Sequence, residues 1–339
     1  MTHRRGQNGT VVVAVLLVTF LAWKHSDEGN GRPLSIQDIL TLGHKYTAWF
    51  YSAGLDSLLS CFVGREQSVR EIKQLRHEVD SRFGRETELL NERTGRSIGK
   101  SNRYYYIRYS KFSKIRQPVK TESSFDGNDH VFQLSVEVLP REAPAKFLEH
   151  KTKATLHLPF NGVWYVAAGG LNIYLNHHAV STNQRFAYDF VIKNNGFIFQ
   201  NDGTRNEDYF CYNKEVVSPG AGRVVEVVGE IDENKPGEWT SGAGNYVIID
   251  HGNNEYSILA HLKRGSIAVT PGENVYVGQF LGLCGNSGHA AMPHLHYHLQ
   301  DSPRLFAGDG LPIRFRTYVA DGIEIEQGMP LWNQYVVNK

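Results

Sequence analysis

The chain has 339 residues, 41% hydrophobic and 21% charged, with a formal net charge of +1. That length holds two domains and one short extra element. The composition excludes a disordered chain, and the near-neutral balance excludes any need for nucleic acid or another polyanion as partner. Cys61, Cys211 and Cys284 are too few for a disulfide framework, lack the spacing of a thiolate zinc site, and leave room for at most one disulfide.

Residues 1–30 carry Arg4 and Arg5, then an apolar run over 11–23, then Lys24, His25, Asp27 and Glu28. A basic end ahead of a short apolar run is an export signal. The run falls short of the ~20 residues that comfortably span a bilayer, yet no small-x-small cleavage site follows it. A signal anchor is therefore expected, with a cleaved signal peptide as the alternative. Either leaves the body of the chain outside the cytoplasm, at the cell membrane or secreted. The anchor would make the membrane a partner. Residues 29–34 read as a linker.

Ser35 is a helix cap with Asp38 as its capping-box partner. Ile36, Ile39, Leu40, Tyr46, Trp49, Phe50 and Leu55 form an apolar set through about residue 60. A break at Gly64 precedes a second helix over about 67–83, where Val69, Ile72, Leu75, Val79 and Phe83 recur at helical spacing and Gly84 ends the pattern. Strands are predicted at 104–109, 130–139, about 154–159 and from Trp164. In the second, Phe132, Leu134, Val136 and Val138 share one face. Tyr104, Tyr105 and Tyr106 read as sheet residues. Helices followed by an antiparallel sheet predict an α+β domain over 31–165.

Gly169 and Gly170 mark a change of texture. Residues 166–330 read as an all-β domain of short strands, including 220–229, 245–252, 256–262 and 275–279, with no useful helix between 215 and 300. Three polar clusters stand out: His177 and His178 followed by Asp189; His261 inside an apolar strand; and His294, His296 and His298 at every second position behind a glycine-rich approach, 282–288. On a strand, alternate side chains share a face, roughly 6–7 Å apart. Two imidazoles and a carboxylate leave a position open on tetrahedral zinc, the arrangement of catalytic sites. Two further histidines could steer water, stabilise an oxyanion and carry a proton.

These motifs resemble the lysostaphin/LytM-type zinc metallopeptidases of family M23 over about residues 170–300. The family's closing "PHLH" stands at 293–296, its "V.I.HG" at 247–252 and its "HL" at His261. The resemblance implies an antiparallel, duplicated-hybrid-motif fold and Zn2+ as cofactor. His296 and Asp189 become ligands, and His261 and His294 the non-ligating catalytic pair. The commoner His-x-x-x-Asp form fails here, since Arg185 stands four before Asp189. A branch with an upstream histidine and a "QR.A.D" segment matches instead, implying His178 as third ligand with His177 as runner-up. His298 replaces the usual acidic residue and either supports His296 or serves structure. His251 reads as structural, His289 is unassigned, and Arg185 reads as a fixed cation. The earlier domain is similar to the nuclear-transport-factor-2-like (NTF2-like) cone that precedes some cell-wall enzymes. The implied function is hydrolysis of peptide bonds in peptidoglycan cross-links or stem peptides. A degenerate domain that binds or regulates cell-wall hydrolases, and a secreted peptidase acting on proteins, are the alternatives.

Overall fold

The computed structural model describes residues 33–63, 66–100 and 102–339. The expected signal segment, residues 1–30, lies outside the described residues, as does the break at Gly64. Among the described residues no helix is long and apolar enough to cross a membrane. The first helix, of 16 residues, would reach only about 24 Å at ~1.5 Å per residue. The expected transmembrane anchor, the membrane as a partner and a location at the cell membrane through that anchor therefore find no spanning helix among the described residues and are not carried further.

Helix α1 (Ile36–Tyr51) starts at the expected capping box, in which Ser35 Oγ accepts from the Asp38 N–H and the Asp38 carboxylate from the Ser35 N–H. It stops at Ser52, and a turn through Gly54 opens α2 (Leu55–Ser60), so the apolar set through residue 60 is two helices. Helix α3 (Glu66–Glu78) runs into a wider turn over Val79–Phe83. Gly84 closes it at φ +78° and donates to the Val79 carbonyl, a conformation that strains any other residue.

Strands β1 (Glu86–Arg96), β2 (Tyr104–Phe112), β3 (Ile115–Phe125) and β4 (Val131–Val138) pair antiparallel in chain order. Ile39, Tyr46 and Phe50 of α1 pack on Tyr104, Tyr106, Val119 and Phe125 of this sheet. In β4 the register slips, with Ser124 opposite Gln133 but Phe125 opposite Val131. Phe132 is thereby skipped, and Val131 rather than Phe132 is buried beside Leu134.

The second region contains β5 (Trp164–Ala168), β6 (Tyr188–Val191), β7 (Glu215–Val217), β8 (Gly222–Val228), β9 (Asn245–Asp250), β10 (Tyr256–Leu262), β11 (Asn274–Val275), β12 (Phe280–Leu283) and β13 (Leu295–Gln300). Beyond them lie β14 (Gly310–Leu311), β15 (Phe315–Ala320), β16 (Ile323–Gly328) and β17 (Tyr335–Asn338). The main sheet runs β11-β8-β9-β10-β13-β6-β5-β17-β15-β16, with β14 beside β13, while β7 pairs with β12. The strand expected at 154–159 reduces to single bridges from Leu156 to Phe315 and from Phe160 to Val216. Its backbone is satisfied elsewhere: the His157 N–H donates to the Pro219 carbonyl and the Leu158 N–H to the Asn338 side chain. All three cysteines are free.

Candidate metal centre

The site sits on the middle strands β10, β13 and β6. Register places His296 of β13 directly opposite Asp189 of β6 on one side and Ala260 of β10 on the other. Adjacent strands lie ~4.8 Å apart, so facing side chains on one face meet. His296 Nδ1 lies 3.1 Å from Asp189 Oδ1. His294, one residue before the strand begins, brings its Nε2 to 3.6 Å from the same oxygen.

The third approach comes from a short turn, His177–Val180. Asn176, fully buried, accepts from the His178 N–H and donates to the Gly170 and Ala187 carbonyls, fixing the turn against the segment that leads into β6. His178 Nε2 then lies 3.0 Å from both Asp189 oxygens, with a side chain 11% exposed. His177 Nε2 is 3.6 Å away and its side chain is 64% exposed. The donor atoms of His177, His178 and Asp189 lie within 4.8 Å of one another, a cluster consistent with a zinc site. Arg185 is elsewhere engaged: it donates to the Ala143 and Leu171 carbonyls and to Glu142.

Hydrogen bonding assigns the imidazole tautomers. The Gln300 amide nitrogen donates to the Ser302 and Arg304 carbonyls, which turns its oxygen toward His298 Nε2, 3.2 Å away. His298 must therefore donate from Nε2 and accept at Nδ1. The N–H at His296 Nε2 fills that role at 2.9 Å. This leaves His296 Nδ1 bare against a carboxylate oxygen, two acceptors face to face. Burial lowers the His296 pKa to about 4, so near neutral pH a proton is not the bridge. A divalent cation is what such a donor set fits, and the carboxylate with neutral imidazoles suits zinc.

His261 and His294 are also fixed. His261 sits at φ +62° where β10 loses register with β9, and its Nδ1 donates to the Ser287 carbonyl at 2.8 Å. A non-glycine residue held at positive φ is strained, and such strain gathers at working sites. His294 Nδ1 donates to the Met292 carbonyl at 2.9 Å. Both rings thus carry a bare Nε2, and their centroids are 4.7 Å apart. Burial holds His261 well below the usual imidazole range. Burial alone would raise the Asp189 carboxyl, but His178, His294 and His296 hold it well below the usual carboxylate range.

The five residues singled out in the sequence therefore converge. His251 stands apart, donating to the Ala221 carbonyl and accepting from Ser257 Oγ. His289 lies in the preceding loop near Trp239. Asn176 stands in the first polar cluster but had no role assigned from sequence, and Gln300 was not anticipated. Gln300 continues the period-two series 294, 296, 298 and could have been read from it. Asn176 carried only the weak signal of a capping residue before a histidine pair.

Residues 205–307 match the family model for Peptidase family M23. The matched segment contains His261, His294 and His296 but begins after Asp189, on the far side of the Arg185 departure. Peptidoglycan DD-endopeptidase ShyA of Vibrio cholerae is 49% identical over 57 residues, 17% of this chain and 13% of that protein. Endolysin 2638A of Staphylococcus phage 2638A is 33% identical over 132 residues, 37% of this chain and 26% of that protein. The chain thus spans about a quarter or less of the length of these relatives. The catalytic domain of lysostaphin from Staphylococcus simulans is 18% identical over 43% of this chain and 85% of that one, at a TM-score of 0.26, too low to add weight. Family match and His/His/Asp cluster agree: a helical region here precedes an antiparallel-sheet, M23-family zinc metallopeptidase domain.

Proposed function

We propose that this chain is a zinc metalloendopeptidase that cleaves peptide bonds in peptidoglycan cross-links or stem peptides. His178, Asp189 and His296 would hold the metal, with His178 preferred to His177 on distance and burial. The observation that carries the reading is the acceptor-on-acceptor contact of His296 Nδ1 and Asp189, with His178 Nε2 completing the set. Zinc, when bound, would acidify water and polarise the scissile carbonyl. The chain's own part is proton handling. His261 and His294 each present a bare Nε2 backed by a carbonyl that anchors the opposite nitrogen. One can take a proton from the attacking water, and the other, once protonated, can donate to the oxyanion or the leaving amine.

The similarity to a peptidoglycan DD-endopeptidase supports the substrate class, though only over a short segment. A degenerate, regulatory domain was suggested by Arg185 in place of a ligand histidine. The approach of His178 to Asp189 supports the catalytic reading instead. We also propose the division into 31–165 and 166–330, and the NTF2-like class of the first part, supported by its helices and four-stranded sheet. Incubating zinc-loaded protein with purified cross-linked muropeptides should release cleaved peptides, stop with a chelator, and resume on adding zinc. Metal-loaded protein that leaves every cross-link intact would reject the assignment.

A further inference from the structure

A groove of about 710 Å³ runs between β1 of the first sheet and the β5–β17 side of the second. Its volume lies within the ~300–1,000 Å³ of small-molecule sites. Tyr105, Tyr165 and Trp332 line it with aromatic rings, and Met292, two residues before His294, lines it too. Arg93, another lining residue, donates to the Tyr174 and Leu175 carbonyls, two residues short of His177. Met292 and Arg93 thus adjoin the segments that carry site histidines.

Its charge is one-sided. Arg93, Arg96 and Lys193 line it, and among the described residues none shows an acidic partner; Arg96 donates to the Phe199 and Asn201 carbonyls. The one acidic lining residue, Glu92, turns its carboxylate to the opposite face of β1, where His44 and the Tyr106 hydroxyl hold it. Lys193 Nζ rests 3.5 Å from the centre of the Tyr165 ring with no hydrogen-bond acceptor among the described residues. Arg93 is flanked by the rings of Tyr109 and Trp332, and its Nε is buried without a partner. Burial and the nearby Arg93 push the Lys193 ammonium down to about 8. Two partly desolvated cations with no anion between them are costly to keep, and a carboxylate placed there would gain charge-assisted hydrogen bonds from both.

We propose that this groove is the substrate subsite for a free peptide carboxylate, gripped by Arg93 and Lys193 with the peptide lying on Tyr105, Tyr165 and Trp332. This deepens the proposed peptidase function and rests on it for the identity of the peptide. It also gives the N-terminal sheet a part in substrate selection, since Arg93 and Tyr105 come from β1 and β2.

The test measures binding rather than turnover. Zinc-stripped protein of all 339 residues is titrated calorimetrically with a soluble muropeptide whose peptide carboxylates are free, and with the same compound amidated. The free acid should bind about tenfold more tightly, equivalent to roughly 1.4 kcal/mol. Lys193→Gln should abolish that preference, and Lys193→Arg should keep it, with unchanged melting temperatures showing that both variants fold. Equal affinities for the two ligands, or a preference that survives Lys193→Gln, overturn the subsite. Preferential binding without cleavage by the zinc-loaded protein would sink the peptidase reading and leave the carboxylate site standing.

Discussion

At the scale of single residues, the informative feature is the direction of the hydrogen bonds behind the proposed ligands. The backbone carbonyls of Ser302 and Arg304 orient Gln300, Gln300 sets His298, and His298 sets His296. Groups behind ligand histidines commonly fix tautomer and orientation, and losing one weakens metal binding by about 10–100-fold. His298→Ala should therefore lower zinc affinity by that order in a chelator competition. Unchanged affinity in His298→Ala would show that His296 keeps its orientation without the relay. His294→Ala separates roles in the other direction. It should retain zinc, because its ring is anchored to Met292 and its Nε2 is the more distant from Asp189, yet lose about 10²–10⁴-fold in kcat as a general acid–base group. Zinc lost along with activity would move His294 into the ligand set.

At the scale of elements, the strands deliver three of the five site residues, His294 stands one residue ahead of β13, and a capped turn delivers His178. Asn176→Ala would strand the His178 N–H and the Gly170 and Ala187 carbonyls in a fully buried position. A loss of about 1–3 kcal/mol in denaturant unfolding is expected, with weaker zinc binding because the turn loses its register against β6. A variant as stable as the parent would show that water replaces the amide. The contrast between turn and strand explains what the sequence disclosed. Period two at 294, 296 and 298 announces one face of a strand without knowledge of its partners, so the β13 cluster was legible. The pairing of His296 with Asp189 spans 107 residues, and only the family resemblance suggested it. Strand β1 was missed because its sequence, Glu86 to Arg96, is polar on both faces. One face meets the helices through Glu92, and the other meets the second region through Asn91 and Arg93. The strand expected at 154–159 has the right apolar residues, Leu156 and Leu158, fully or almost fully buried. Burial alone does not make a ladder, and its backbone bonds go to a loop and to Asn338 instead.

At the scale of the whole molecule, buried neutral histidines make stability depend on pH. Burial holds His261 and His298 well below an ordinary imidazole, and His296 at about 4. Unfolded, each would titrate near about 6.5. Between that value and the folded one, the unfolded chain takes up protons that the folded chain refuses, so stability is full above about 6.5 and falls as pH drops toward 4. The slope is at most about 1.4 kcal/mol per pH unit for each such histidine. Zinc-free protein should therefore show a steady fall in melting temperature from pH 6.5 to 4.5, and a flat profile there would mean that the rings are hydrated. The same clustering ties the first region to the second. Asn91 and Arg93 of β1 hold the Tyr174 carbonyl, Glu142 accepts from the Ile173 N–H and pairs with Arg185, and the Ala143 N–H donates to Ala179. Tyr109 and Leu139 pack on Ile173 and Ala179 across the same seam. All of these contacts fall on residues 173–185, the stretch that carries His177 and His178. Arg185 occupies the position from which the commoner family pattern supplies a ligand and instead anchors the chain ahead of it. The proposed ligand from the turn and the sheet that braces the turn thus form one structural unit. Asn91→Ala removes one brace at β1, away from the metal donors, and leaves Arg93 to hold the Tyr174 carbonyl alone. It should weaken zinc binding several-fold with little change in the unfolding midpoint of the zinc-free chain. If zinc affinity is unmoved while the midpoint drops, the sheet supports the fold alone and the turn holds His178 without it.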